Sequence, residues 1–300
     1  MISDDDIVAV LPAPVVQLAR EPYEYATSFV LERVQAELGD GRTLDLILKD
    51  LTWEQLLPDA GRSKPAFLYE PRREIETYRR MLPLLDVGPD FYGAGNDWLL
   101  IEKVEGIELW QTGDLAVWED VARWTADFHV RAAMIDTGEC SPYLLRYGAE
   151  FLGMWAARAS VAVDSPHLAQ IADGYGVVVD ALASLPASFI HGELYPSNVL
   201  IGDRPKPVDW EMAAVGPPLL DVVALTTGWA DPERDRLVRA YVEAADGAAW
   251  ITDDLDRVLD CCRLHYAMQW LGWSSTWSPP REHARDWLQV AFDAADRLGL

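Results

Sequence analysis

Apolar side chains alternate with polar ones in short runs through the first hundred residues, then recur every three or four positions from about residue 115 onward. The first pattern predicts strands at 15–18, 29–31 and 43–51, where alternation and β-branching coincide. Between them and the second pattern, 71–82 places Ile75, Tyr78 and Leu82 on one helical face. The segment 57–65, with its proline and glycine, reads as an inserted loop. Helical spacing then predicts helices at 115–133, 166–182, 231–245, 254–272 and 281–298. Phe189-Ile190 closes a short buried strand, 191–198 is a polar loop, and 199–201 re-enters the core. After the turn Gly202-Asp203-Arg204-Pro205, a second buried strand is expected at 207–210. Three hundred residues exceed what one core usually holds, so the expectation is an α/β chain of two lobes that share a cleft.

The hairpin at 189–211 carries the chemistry. It brings Asn198 near Asp209, so that an amide oxygen and a carboxylate can share one hard cation beside Glu193. Such a grouping suits Mg²⁺ held against phosphate next to an acceptor hydroxyl, which is phosphoryl-transfer chemistry. The alternative is that Asn198 and Asp209 cap turns and His191 is a satisfied core histidine. The run Phe189-Ile190-His191-Gly192-Glu193, with Asn198 five residues after Glu193 and Val208-Asp209-Trp210-Glu211 beyond, resembles the catalytic loop and metal strand of aminoglycoside phosphotransferase-like and choline kinase-type small-molecule kinases. That loop usually reads His-Gly-Asp, and here Glu193 stands where the aspartate does.

The resemblance implies a two-lobe protein kinase-like fold, with an antiparallel-sheet nucleotide lobe over 1–103 and a mainly helical catalytic and acceptor lobe over 104–300. It implies Glu193 and His191 as catalytic residues, Asn198 and Asp209 as Mg²⁺ ligands, and Lys49 over the α- and β-phosphates of ATP. Glu74 is the expected partner of Lys49, with Glu76 as the fallback, and either could instead pair with Arg79 or Arg80 along the helix. The strand from Trp98 into Val104 corresponds to the hinge, where backbone groups of Glu102 and Val104 would bond adenine. The phosphate-covering position falls on 21–28, which contains no glycine, so grip from it must come from Ser28, Thr27 or backbone amides. Near the acceptor, Glu211, Trp273 and Trp277 are candidate contacts, the tryptophans by stacking or cation–π attraction or else as core. Trp270 reads as core, and Asp221 as a helix cap rather than a catalytic group.

A formal charge of −24 argues against nucleic acid and anionic membranes as partners. The charge is spread rather than focused, with −8 over 1–103 and −16 over the rest, so it marks a generally acidic solvated surface. Cys140, Cys261 and Cys262 fit neither a disulfide framework nor a zinc site, and a reducing cytoplasm is expected. The acidic opening Met1-Ile2-Ser3-Asp4-Asp5-Asp6 is unlike a signal peptide. The function expected is ATP- and Mg²⁺-dependent transfer of the γ-phosphoryl group to a hydroxyl of a small molecule, with the oligomeric state open. Glu193 and the glycine-free loop keep a second reading in view, a pseudokinase that binds nucleotide and acts through a partner.

Overall fold

The computed structural model describes residues 2–23, 28–137, 142–273 and 283–300. Five strands, β1 (Val15–Pro22), β2 (Leu31–Leu38), β3 (Thr43–Asp50), β4 (Phe91–Ala94) and β5 (Trp98–Glu102), form one antiparallel sheet in the order β1-β2-β3-β5-β4. Alternation along β3 decides what each face does. Leu46 and Leu48 point into a small core with Val34, Leu100 and Ile7. Their neighbours Ile47 and Lys49 point the other way, into the cleft beneath the sheet.

The expected helix at 71–82 begins as Pro71–Glu76, passes through a single π-helical turn at Thr77–Met81, and resumes at Leu82–Leu85. Ile75, Tyr78 and Leu82 do face inward, against Leu99 and Ile101 of the sheet and Phe128, Phe189 and Trp210 of the helical part. The 57–65 segment is not a plain loop: Pro58–Ser63 is a helix, with proline at its start.

The helical part centres on Leu255–Trp273, packed against Ala149–Ala162 and Trp287–Leu298. Helices form at Leu115–Ala132 and Asp231–Ala244 as the spacing predicts. The stretch expected as one helix at 166–182 is two, Pro166–Gly174 and Gly176–Ala183, because Gly174 and Gly176 flank Tyr175 and weaken the helix there. Two helices, Ala149–Ala162 and Leu219–Thr226, escape the periodicity reading. Every residue of the second is buried, so it shows no polar face. No described helix is long and apolar enough to cross a membrane.

Short strands frame the 191–198 loop. β6 (Ile107–Glu108), β9 (Val199–Ile201) and β10 (Pro205–Pro207) make one sheet, and β7 (Leu145–Arg146), β8 (Ser188–Ile190) and β11 (Ala214–Gly216) another. The predicted hairpin exists, with Val199 opposite Pro207, but its second strand spans 205–207 and stops before Asp209. Asp209 itself takes a left-handed backbone, φ 63°, and turns the chain out of the strand.

Candidate active site

Sheet, hairpin and helices enclose a cleft of about 270 Å³. Lys49, Glu74, Ser28, Glu102, Val104, Glu193, Asn198, Asp209, Glu211 and Trp273 all contribute to its walls. Trp277 lies outside the described residues.

At its centre the Lys49 ammonium is held by two acids, 2.8 Å from Glu74 and 2.5 Å from Asp209. Both reach it from afar in sequence, 25 and 160 residues away. Burial pulls the Lys49 pKa down, but Asp209, Glu74 and Glu211 outweigh it and hold the ammonium charged well above the usual lysine range. The two acids compete for that single cation. Glu74 is raised, chiefly by burial, with the Asp209 charge adding to it against Lys49. Asp209 feels burial too, but Lys49 wins there and the carboxyl falls below its ordinary range. Glu76, the fallback partner, pairs instead with Arg79 and Arg80 on its own helix turn.

The 191–198 loop is built by three devices. Gly192 turns it with φ +82°, and a Cβ there would meet the Met212 carbonyl oxygen at 2.3 Å, so glycine is required. Asp221 accepts the amides of His191 at 2.7 Å and Gly192 at 2.9 Å, while His129 Nε2 stands 3.2 Å from the same carboxylate. The expectation that Asp221 caps a helix is therefore corrected: it lies inside the first turn of Leu219–Thr226, fully buried, and its oxygens serve the loop. His191 is fully buried as well, with its ring against Trp210. Its Nε2 donates to the Val208 carbonyl at 2.9 Å, and its Nδ1 accepts the Glu193 amide at 3.3 Å. Burial lowers its pKa, which favours this neutral form.

Glu193 is thereby presented to the cleft. Tyr195 donates its hydroxyl to Glu193 Oε1 at 3.1 Å. Burial, then the charges of Asp209 and Glu211, push the Glu193 carboxyl up to about 8, with Lys64 and the Tyr195 hydrogen bond pulling the other way. Asn198 donates its amide nitrogen to the Glu193 carbonyl at 3.0 Å, which leaves the amide oxygen as the atom available to a cation. Among the described residues no three His, Cys, Asp or Glu side chains gather as a metal cage. The donor set of Asn198 and Asp209 instead suits Mg²⁺, which keeps waters and phosphate oxygens among its ligands.

On the hinge side, the Glu102 carboxylate accepts from Lys206 at 2.7 Å and from the Asp90 amide at 3.1 Å. Ser28 lines the wall, and its carbonyl accepts the Leu57 amide at 2.9 Å. Trp273 lines the cleft and stacks on Trp155, ring centroids 6.0 Å apart and planes parallel within 1°. Trp270 is both wall and core, stacked on Trp287 at 4.8 Å. Sequence reasoning missed Lys64, which pairs with Glu211. It also missed Arg73, buried and donating to the carbonyls of Glu211 at 2.8 Å and Leu68 at 3.0 Å. Lys64 lies in no recognisable motif, and Arg73 marks the Arg-Glu pair that selects Glu74 without announcing a role of its own; a buried basic residue shows itself only once the fold closes over it.

The family described as the phosphotransferase enzyme family matches residues 35–258. No curated protein matches the sequence. Among solved structures, the chain is similar to macrolide 2'-phosphotransferase MphH from Brachybacterium faecium, at 22% identity over 89% of this chain and 90% of that one, TM-score 0.60. It is similar to choline kinase LicA from Streptococcus pneumoniae at 13% identity, over 98% of this chain and 96% of that one, TM-score 0.63. A choline/ethanolamine kinase family protein from Mesorhizobium loti is 16% identical over 100% of this chain and 94% of that one, TM-score 0.62. At these identities the likeness establishes the fold, an antiparallel sheet joined to a mainly helical part.

Proposed function

This chain belongs to the phosphotransferase enzyme family, a small-molecule kinase by that membership, and from that premise we propose that it moves the γ-phosphoryl group of ATP, with Mg²⁺, to a hydroxyl of a small molecule. The observation that carries the reading is Lys49 held between Glu74 and Asp209 in a cleft that Glu193 and Asn198 also line. In it Lys49 steadies the α- and β-phosphates as a fixed point charge and Glu74 fixes Lys49. Asn198 and Asp209 would hold Mg²⁺, which when bound neutralises phosphate charge. Glu102 and Val104 would offer backbone groups to adenine, and Ser28 lies at the phosphate-covering edge.

Glu193 accepts the acceptor hydroxyl's proton or orients that hydroxyl for in-line attack; a carboxyl raised toward the working pH is suited to the task. His191, with both ring nitrogens bonded to backbone, serves this reading as a positioning residue for the loop. By their names the solved relatives phosphorylate macrolides and choline, so the acceptor here is a hydroxylated metabolite or antibiotic. Trp273, Trp270, Tyr195 and Gln269 form an aromatic and amide-bearing wall for it, and Glu211 offers a carboxylate near an acceptor amine.

The test is thermal denaturation with ATP. Stabilisation should be larger with Mg²⁺ than with EDTA, and Asp209→Ala should erase the difference while the protein still folds. ATP stabilising Asp209→Ala as well as wild type, with Mg²⁺ present, would remove the metal assignment.

A further inference from the structure

A second buried ammonium stands in the cleft, and phosphoryl transfer as described above gives it no task. Lys64 follows directly on the Pro58–Ser63 helix, with its side chain 4% exposed. Its Nζ pairs with Glu211 and lies 5.1 Å from the centre of the Phe29 ring. Lys49 stands 5.6 Å from the same ring, so two ammonium groups share one aromatic contact. Lysine is rarely buried this far, and a buried ion pair is a poor way to gain stability compared with apolar packing.

Where Lys64 is mounted bears on its role. Phe29 pairs with Leu56 as an isolated antiparallel bridge, Val30 donates to Gln55 at 3.2 Å, and Leu57 donates to Ser28 at 2.9 Å. The insert is thus tied to the edge that follows 21–28, the stretch placed to cover phosphates. That stretch has no glycine, and a backbone without glycine is less able to bring successive amides close around a phosphate. Ser63 and Lys64 line the cleft beside Ser28 and Phe29. A side-chain cation is therefore delivered to the wall that Ser28 and Phe29 form. The cleft is lined by six carboxylates, Glu74, Glu102, Glu108, Glu193, Asp209 and Glu211, against three lysines, Lys49, Lys64 and Lys103, so a polyanion that enters it depends on those few cations.

We propose that Lys64 binds the phosphoryl group that is transferred, an inference that rests on the phosphotransferase reading above. With nucleotide in place its ammonium exchanges Glu211 for the terminal phosphate oxygens, and Glu211 is released into the cleft. Lys64 acts by holding charge on the oxygens of the group in flight, where a preplaced cation gains most.

Calorimetric binding of Mg²⁺·AMP-PNP and Mg²⁺·ADP to the full chain separates this role from a structural one. Lys64→Met should weaken AMP-PNP at least tenfold and leave ADP within about twofold, since ADP lacks the group Lys64 holds. Lys64→Arg should recover most of the loss. In Lys64→Met combined with Glu211→Gln the selective loss should persist. Equal weakening of both nucleotides, or recovery in the double variant, would reduce Lys64 to a counter-ion of Glu211 and overturn the proposal. Melting curves establish folding first, and if Lys64→Met does not fold, Lys64→Gln is held to the same comparison. Should wild type bind neither nucleotide, the phosphotransferase reading itself fails and takes the proposal with it.

Discussion

Glu193 is one methylene longer than the aspartate of the His-Gly-Asp loops it resembles, which extends its reach by about 1.5 Å. Misplacement by about 1 Å can cost about 100-fold in rate, so the length of this side chain is a sharp probe. Glu193→Gln should abolish transfer while ATP still binds; unchanged turnover would take Glu193 out of the mechanism. Glu193→Asp should be much slower than wild type if the loop is built around glutamate, and a faster Asp variant would favour the weakened-kinase reading. The pH profile adds a second check. A base must be deprotonated to work, and burial with Asp209 and Glu211 raises Glu193 to about 8. Acceptor kcat/KM should therefore fall as pH drops below that region, well above the usual carboxylate range. Glu211→Gln removes one of the charges responsible and should move the acid limb to lower pH. A limb unmoved by that change would assign the titration to another group.

The loop carrying Glu193 depends on elements that sequence patterns expose unevenly. Its flanking strands, the hairpin and the lysine on β3 were legible because alternation and β-branching fix which side chains point inward. The Asp221 contact was not, since its oxygens cross 29 and 30 residues to reach loop amides, and a carboxylate in a first helical turn looks like a cap. Lys64 and Glu211 are 147 residues apart, and no local spacing announces such a pair. The insert itself was hidden by Pro58 and Gly61, which read as loop residues although proline opens a helix readily. Asp221→Asn should test the loop's dependence. The amide can accept through one oxygen only, so one of two buried amides loses its partner, at about 1–3 kcal/mol. A drop in Tm with turnover down about 100-fold is expected, while AMP-PNP affinity holds because Lys49 and Glu74 are untouched. Equal loss of both would show that Asp221 supports the whole cleft rather than the loop. On the opposite wall, Trp273→Ala should raise the acceptor KM with little change for ATP; parallel changes would mark Trp273 as packing against Trp155.

Across the whole chain, a net charge of −24 means that acidification first relieves self-repulsion, which favours the folded state. Buried histidines oppose that trend. His265 sits fully buried in the helical core, with Nδ1 2.8 Å from the Tyr175 hydroxyl and its ring 6.1 Å from that of Tyr147. Burial lowers its pKa from 6.5 to about 3. A depressed histidine pKa means that below 6.5 the unfolded chain binds a proton the folded chain refuses, so unfolding is favoured as pH falls. The contribution is complete above pH 6.5 and is lost progressively toward about 3, at about 1.4 kcal/mol per pH unit for one such group. His191, lowered by burial as well, adds to the same slope. Carboxylates held below their ordinary range, Asp45 beside Arg33 among them, lose their own contribution only at still lower pH. Glu74 and Glu193, raised by burial, take up protons in the folded chain over the same range and oppose the histidines, so the His265 contribution is read as the difference between wild type and a variant that cannot titrate there. His265→Gln, which retains a polar partner for Tyr175 and cannot titrate, should change the slope of unfolding free energy against pH between 6.5 and 5 by about 1.4 kcal/mol per pH unit, making the folded chain relatively more stable toward the acid side. Denaturant titrations at several pH values give the slope directly. An unchanged slope in the variant would mean that His265 takes up its proton in the folded state as readily as in the unfolded one, and that the core around it admits charge.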